Sequence, residues 1–258
     1  MALAPLNLPA LLDGLVPLIR SAGELVMDIY RTDFDVTRKG DDSPVTQADQ
    51  RAEALILKGL AELAPGVLVV AEEAVSAGDI PDAAERFFLV DPLDGTKEFI
   101  SRNGEFTVNI ALIENGRPVL GLVLAPAINR LFAGVVGVGA WLEDGQGRRA
   151  IATRAVPAAG LTVVASRSHG DETALDAFLA GRPVASRTNA GSSLKLCLVA
   201  AGEADVYPRL GRTMEWDIAA GDAVLRAAGG LVQTLDGATL GYGKNGWDNP
   251  HFAAWGRV

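Results

Sequence analysis

An apolar segment that ends in two acidic residues constrains the fold of this chain most. Residues 86–90 are Arg-Phe-Phe-Leu-Val, which predicts a buried strand, and the hexamer Asp91-Pro92-Leu93-Asp94-Gly95-Thr96 follows at once. We expect a helix to begin at Thr96 and to continue to Ser101. Neighbouring carboxylates repel each other unless a cation lies between them, and hard divalent cations prefer oxygen ligands. Because a helix start also offers free N–H groups to phosphate oxygens, this junction indicates a site for metal and phosphate.

Three further segments place acidic residues at a strand end or a helix start. Residues 67–70 predict a strand that leads into Glu72-Glu73, Asp49 lies at the start of a predicted helix, and Glu215-Trp216-Asp217 opens another. Each of these has a structural explanation when taken alone, because Asp commonly caps helix N–H groups and a strand end is often solvated. A plain turn explains the hexamer less well, since turn chemistry does not require two acids and a threonine.

The order of the predicted elements indicates an α+β first half and an α/β second half. In the first half we expect helices at about 8–30 and 47–63, a strand at 34–38, the two acid-bearing strands, a hairpin (107–113 and 118–124) that turns at Asn115-Gly116, and strands at 131–136 and 139–143. In the second half, strands at 161–166, 183–187, 204–207 and 231–234 alternate with helices at 171–180, 192–202 and 216–228. This change of pattern places a boundary near residue 155. It gives a first half, 1–155, that carries most acidic candidates and a second half, 156–258, that carries Asp217 and further candidate contacts.

The composition limits the partners that the chain can bind. A net charge of −9 argues against nucleic-acid polymers and acidic membranes. No uninterrupted apolar run is long enough to span a bilayer. The single cysteine, Cys197, cannot form an internal disulfide, which fits a reducing compartment, and its apolar neighbours predict packing rather than catalysis.

Together the acidic segments resemble the pattern of the inositol monophosphatase superfamily of magnesium-dependent, lithium-sensitive phosphatases. That pattern is Asp, then Glu-Glu, then Asp-Pro-(Ile/Leu)-Asp-Gly-(Thr/Ser), then Trp-Asp, and it is matched in order by Asp49, Glu72-Glu73, Asp91 to Thr96, and Trp216-Asp217. The resemblance implies a layered α-β-α-β-α sandwich with the site between the two halves.

A finer resemblance, from about Leu11 to the C-terminus, is to the bacterial 3'(2'),5'-bisphosphate nucleotidases of the CysQ type. It rests on residues 91–100, 103–112, 166–169, 191–195, 204–208, 214–217 and 249–252. Where inositol-specific members carry a Glu shortly before Trp-Asp, the nearest counterpart in this chain is Arg209. A cation there suits a second phosphate better than an uncharged ring.

The resemblance implies two Mg²⁺ sites and a catalytic pair. One ion would be bound by Glu72, Asp91 and the Leu93 carbonyl, and the other by Asp91, Asp94 and Asp217. The catalytic candidates are Asp49, Thr96 and Glu72. Thr96 would orient and deprotonate a water together with Asp49, because a threonine hydroxyl alone is a poor base. Glu73 would be an auxiliary acid for a weak third ion.

The implied reaction is the hydrolysis of adenosine 3',5'-bisphosphate to AMP and phosphate, which recycles a by-product of sulfate assimilation. The candidate substrate contacts are Leu93, Asp94, Gly95, Thr96, Ser192, Ser193, Lys195, Arg209 and Asp217. Arg102, Arg167 and His169 are further candidates for phosphate or base contacts, although most Arg and Lys side chains are exposed.

Several alternatives stay open. The same scaffold would suit an inositol monophosphatase or a fructose 1,6-bisphosphatase, since a fold and its metals do not fix the substrate. A protein of another class, a non-catalytic metal- or nucleotide-binding protein, is the second alternative. We expect a cytoplasmic monomer or homodimer with a small phosphorylated substrate, and the resemblance leaves peripheral association with the inner membrane open.

Overall fold

Two β-sheets and the helices that cover them make up the computed structural model, which describes residues 5–33, 35–38, 44–166 and 172–257. The helices are α1 (Leu8–Tyr30), α2 (Gln47–Leu63), α3 (Glu72–Ser76), α4 (Thr96–Ile100), α5 (Glu172–Leu179), α6 (Leu194–Ala200) and α7 (Glu215–Ala227). The strands are β1 (Val36–Arg38), β2 (Pro44–Thr46), β3 (Leu68–Ala71), β4 (Arg86–Asp94), β5 (Thr107–Glu114), β6 (Arg117–Ala125), β7 (Arg130–Val135), β8 (Gly139–Asp144), β9 (Gly147–Ile151), β10 (Leu161–Ser166), β11 (Val184–Ala190), β12 (Val206–Arg209), β13 (Leu231–Thr234) and β14 (Phe252–Trp255).

The first sheet contains seven strands in the order β3-β4-β5-β6-β7-β8-β9. Strands β3 and β4 are parallel, and every other neighbouring pair is antiparallel. Helices α1 and α2 pack on one face, whereas α7 packs on the other. The central strands are therefore buried on both faces, which explains why β4, β5 and β6 are almost continuous apolar runs.

The second sheet has the order β11-β10-β12-β14-β13. Neighbouring residues of β10 face opposite ways: Val164 packs into the core that contains α6 and α7, while Val163 packs with α5 residues such as Leu179. Helices α6 and α7 thus lie between the two sheets, and α5 covers the outer face of the second. This arrangement confirms the expected α-β-α-β-α sandwich.

Local sequence chemistry explains most of the element boundaries. Asn115 and Gly116 have φ angles of 50° and 70°, the conformation of a tight hairpin turn, and they join β5 to β6 as predicted. Helices α1 and α2 have the predicted bounds, and most other predicted elements agree with the structure to within a few residues. The strand expected at 34–38 begins at Val36, two residues later than predicted, and Phe34 lies outside the described residues.

Three strands were missed by the sequence analysis, namely β2, β9 and β14. Strand β9 (Gly-Arg-Arg-Ala-Ile) is an edge strand whose residues are mostly exposed, so it lacks the alternating apolar pattern of a half-buried strand. Strand β14 has only four residues, and β12 and β13 pair with its two edges. The boundary expected near residue 155 stays a prediction. No helix among the described residues is long and apolar enough to cross a membrane.

Candidate active site

A cavity of about 470 Å³ lies where the starts of four helices meet. Helices α3 and α4 contribute from the first half of the chain, and α6 and α7 contribute from the second. The lining residues are Glu72, Asp94, Gly95, Thr96, Lys97, Glu98, Ser166, Ser192, Ser193, Lys195, Leu196, Tyr207, Arg209, Gly211, Arg212, Thr213, Met214, Asp217 and Ile218. Most of the residues that the sequence singled out are thus brought to one place.

Asp49 and Thr96 form a contact at the edge of this cavity. One Asp49 oxygen accepts hydrogen bonds from the N–H and the hydroxyl of Thr46, at 2.8 and 2.7 Å. Its other oxygen accepts from the Thr96 hydroxyl at 3.4 Å, and Asp49 is only 1% exposed. Asp49 therefore completes the capping box of α2 and faces Thr96 at the same time, so its capping role is compatible with the predicted catalytic role, which stays a prediction.

Three aspartates each accept a hydrogen bond from a backbone N–H group. For Asp91 and Asp217 the donor is close in sequence, whereas for Asp94 the donor belongs to the other half of the chain. Asp91, which is 1% exposed, accepts from Leu93 N at 3.0 Å. Asp94 accepts from Ser193 N at 2.5 Å, a contact that joins the end of β4 to the start of α6. Asp217 accepts from Met214 N at 2.8 Å, which fixes the first turn of α7.

Burial and mutual repulsion raise the pKa values of these carboxyl groups. For Asp91 burial is the largest cause, and the charges of Glu72, Asp94 and Asp217 raise its pKa further. Burial also raises the pKa of Asp217, with Asp94 and Glu72 adding to the effect. The pKa of Asp94 rises to about 6 through burial, although Lys195 and the Ser193 N–H oppose the rise. The group holds more negative charge than its surroundings compensate.

A divalent cation fits this excess of buried oxygen donors. Among the described residues, no three His, Cys, Asp or Glu side chains form a ready-made metal site. Mg²⁺ does not need one, because it usually keeps several waters and binds through one or two carboxylates together with substrate phosphate. Asp91, Asp94, Asp217 and Glu72, which repel one another, supply donors of that kind.

The turn before α6 is strained and is held by buried polar contacts. Gly191 N donates to Glu105 Oε2 at 2.9 Å, and Ser192 has a φ of 47°, which is unusual for a residue other than glycine. The Ser193 hydroxyl lies 2.8 Å from Asn109 Oδ1 and 2.9 Å from Thr107 Oγ1. Both serines line the cavity. The N–H of Ser193 donates to Asp94, and its hydroxyl contacts the β5 side chains.

Two predicted cations also line the cavity. Lys195 is 3% exposed, and its Nζ donates to the carbonyls of Ser192 (2.6 Å) and Ala190 (3.3 Å) and lies 5.2 Å from the centre of the Tyr207 ring. Burial lowers the pKa of Lys195 to about 8, and the charge of Asp94 opposes this shift. Arg209 donates from Nη2 to the Arg212 carbonyl at 2.8 Å.

The remaining predicted residues occupy other positions. Arg102 does not line the cavity; its guanidinium donates to the Thr32 carbonyl at 2.6 Å and lies 5.0 Å from the centre of the Tyr30 ring. Arg167 and His169 lie outside the described residues. The Leu93 carbonyl lies 3.4 Å from the Thr96 hydroxyl, beside the Asp49 contact.

Sequence reasoning missed two buried polar residues that shape the site. Asn109 lies in the middle of β5 and contacts Ser193, and a polar residue within a fully buried apolar strand was its signal. Glu53 lies four residues after Asp49, on the same buried face of α2, and its carboxylate reaches the start of α3. That helical spacing was the signal for Glu53.

Comparison with known proteins gives consistent matches over nearly the whole chain. A model of the Inositol monophosphatase family matches residues 8–254. The 3'(2'),5'-bisphosphate nucleotidase CysQ of Salmonella typhimurium is 46% identical over 245 residues, which cover 94% of this chain and 98% of that protein. The crystal structure of CysQ from Bacteroides thetaiotaomicron, a bacterial member of the inositol monophosphatase family, has 36% identity and a TM-score of 0.82, with 98% of both chains covered. An IMPase from Thermotoga maritima has 28% identity and a TM-score of 0.77 over 95% of this chain and 91% of that one.

Proposed function

This chain belongs to the inositol monophosphatase family, and we propose that within it the chain is a 3'(2'),5'-bisphosphate nucleotidase that hydrolyses adenosine 3',5'-bisphosphate to AMP and phosphate. The observation that carries the proposal is the 46% identity to the Salmonella nucleotidase, which extends over 94% of this chain. The family model matches residues 8–254, a range that includes all the cavity residues described above. The by-product recycling predicted from the sequence follows from this activity.

The residues of the chain supply the parts that phosphate-ester hydrolysis requires. Thr96 and Asp49 lie in contact. The Thr96 hydroxyl therefore orients the attacking water and takes up its proton, while the Asp49 carboxylate accepts the proton of the hydroxyl. The start of α4 at Gly95 and Thr96, together with Ser192, offers N–H and hydroxyl groups to the phosphate. No residue needs to form a covalent intermediate, because positioning and electrostatic stabilisation carry phosphoryl transfer.

Metal dependence is general in this family, and we assign two Mg²⁺ ions to the acidic group. Glu72, Asp91 and the Leu93 carbonyl would hold one ion, and Asp91, Asp94 and Asp217 would hold the other. When bound, such a pair activates water and stabilises the leaving oxygen. Glu73, the residue that follows Glu72, is the candidate for a weak third ion.

The cations along the cavity support a substrate with more than one phosphate. Lys97, Lys195, Arg209 and Arg212 line the same cavity as Glu72, Asp94 and Asp217. The acidic group with its metals would take the phosphate that is cleaved, and Arg209 would meet the phosphate that stays. A planar guanidinium suits a phosphate better than it suits an uncharged inositol ring.

The alternatives within the family are an inositol monophosphatase and a fructose 1,6-bisphosphatase. A phosphate-release assay decides among them if adenosine 3',5'-bisphosphate, inositol 1-phosphate and fructose 1,6-bisphosphate are compared side by side, with and without Mg²⁺. We expect the highest kcat/KM for the nucleotide and no release in EDTA. A higher kcat/KM for the inositol or the fructose substrate would overturn the nucleotidase assignment, and no release from any of them would favour the non-catalytic binding protein.

Cytoplasmic location, a monomeric or homodimeric state and lithium sensitivity stay predictions, and peripheral membrane association has gained no support.

A further inference from the structure

Glu53 connects the helix that carries Asp49 to the helix that begins with Glu72. Its two carboxylate oxygens accept hydrogen bonds from two successive N–H groups of α3, Glu73 N at 2.7 Å and Ala74 N at 2.9 Å. Glu53 is 6% exposed, so water does not compete strongly for these contacts. The N-cap residue of α3, Ala71, has no side chain that accepts such a bond, and Glu53 supplies the acceptor from another helix.

The backbone at Glu72 is held on both sides, by the β3–β4 ladder and by the Glu53 contact. On one side Ala71 pairs with Val90 in the parallel β3–β4 ladder, which leads directly into Asp91. On the other side Glu53 holds the N–H groups of the residues that follow Glu72. The Glu72 backbone is therefore held between the sheet and α2, and its carboxylate faces the acidic group that includes Asp91 and Asp217.

We propose that Glu53 is a positioning residue that holds the backbone of Glu72 in place for metal binding, and that α2 thereby positions the Asp49–Thr96 pair and the metal ligand Glu72 as one rigid unit. Asp49 and Glu53 are one helical turn apart on the buried face of α2, so the same segment of helix carries both contacts. Partners that orient a metal ligand commonly change metal affinity by about 10- to 100-fold when they are mutated. The proposal rests on the metal site of the proposed function, but it does not depend on which substrate is cleaved.

Mg²⁺ binding by the full chain without substrate tests the proposal, measured as the rise in melting temperature with Mg²⁺ concentration. Glu53→Gln keeps one acceptor but turns an NH₂ group toward the second N–H, so we expect the half-maximal Mg²⁺ concentration to increase about tenfold or more. Glu53→Asp keeps the charge but is one methylene shorter, and we expect it to raise the Mg²⁺ requirement as well. This second variant gives the answer if Glu53→Gln does not fold.

Two controls separate positioning from a general loss of stability. Glu62→Gln makes the same chemical change at an exposed site on α2 and should leave the Mg²⁺ curve unchanged. Asp205→Asn removes the charge of another buried carboxylate, one that accepts from Thr162 N and forms a salt bridge with Arg154. This variant should lower the melting temperature without moving the Mg²⁺ midpoint. In a Glu72→Gln background, Glu53→Gln should add little further loss of Mg²⁺ affinity.

The proposal is overturned if the folded Glu53 variants bind Mg²⁺ with the wild-type midpoint, whatever their melting temperature. It is also overturned if Glu53→Gln and Glu72→Gln reduce Mg²⁺ affinity additively. A shifted midpoint in a chain that does not hydrolyse adenosine 3',5'-bisphosphate would support the role of Glu53 and count against the proposed substrate alone.

Discussion

Asp49 Oδ1 and Thr96 Oγ1 lie 3.4 Å apart, although the two residues are 47 positions apart in the chain. The other Asp49 oxygen is held by Thr46 in a capping box at the start of α2. Because this cap fixes the carboxylate, its remaining oxygen is directed at Thr96. One helix-capping residue thus provides the carboxylate that the proposed reaction needs.

Loss of the Thr96 hydroxyl should reduce turnover much more than substrate binding. We expect Thr96→Ala to lower kcat strongly with little change in KM, because the hydroxyl acts on the attacking water. Thr96→Ser keeps the hydroxyl and serves as the control, which should retain most of the activity. Steady-state kinetics at saturating Mg²⁺ provide both constants.

Asp49→Asn should lower kcat in the same way, and the double variant with Thr96→Ala should lose little more than either single variant. This non-additivity follows if the two side chains act as one unit. Losses of kcat that multiply in the double variant would show that the two residues act separately.

Removal of one buried carboxylate should stabilise the metal-free chain while it abolishes turnover. Burial and the neighbouring charges of Glu72, Asp94 and Asp217 disfavour ionised Asp91. Asp91→Asn removes this repulsion and keeps an acceptor for the Leu93 N–H. A gain of about 1 kcal/mol corresponds to about 2–4 °C in melting temperature for a chain of this size. Thermal unfolding in EDTA and then in Mg²⁺ measures the effect, and we expect Mg²⁺ to stabilise the variant much less than the wild type.

Near-normal turnover of Asp91→Asn at saturating Mg²⁺ would contradict the assignment of Asp91 to both ions.

The packing of α7 against the first sheet should depend on Gly121 of β6. A Cβ atom at this position would lie 2.3 Å from the Ala220 carbonyl oxygen of α7 and 2.7 Å from Ala223 Cβ. The variant Gly121→Ala therefore forces α7, which carries Asp217, away from the sheet. We expect a loss of about 1–3 kcal/mol in the free energy of unfolding, measured by denaturant titration. Gly145→Ala is the matched control, because a Cβ there meets no atom within 4 Å.

Short motifs carry much of the site, and this is why the sequence indicated it. The β4–α4 hexamer delivers Asp91, Asp94 and Thr96 to one turn, so their proximity follows from local structure alone. The contact between Asp94 and Ser193 spans 99 positions and depends on how the two halves pack, which no local pattern specifies. The edge position of β9 and the pairing of β14 with β12 likewise depend on how other strands of the chain are arranged, and no local pattern specifies them.

Arg209 should discriminate between substrates with one phosphate and substrates with two. A hydrogen bond to a charged group contributes roughly 1.5–3 kcal/mol, so Arg209→Ala should lower kcat/KM for adenosine 3',5'-bisphosphate by about 10- to 100-fold. The same change should leave inositol 1-phosphate nearly unaffected. Arg102→Ala, at a site that does not line the cavity, is the control and should change neither. Equal losses on both substrates would indicate that Arg209 supports the shared site or the fold.

Identification of the product formed from adenosine 3',5'-bisphosphate tests the central claim most directly. The chain is incubated with the nucleotide and Mg²⁺, and the nucleotide product is separated from free phosphate and identified by chromatography or ³¹P NMR. Our account predicts one equivalent of phosphate and 5'-AMP, formed only when Mg²⁺ is present. Formation of 3'-AMP, equal turnover in EDTA, or no turnover by a folded, Mg²⁺-bound chain would contradict it.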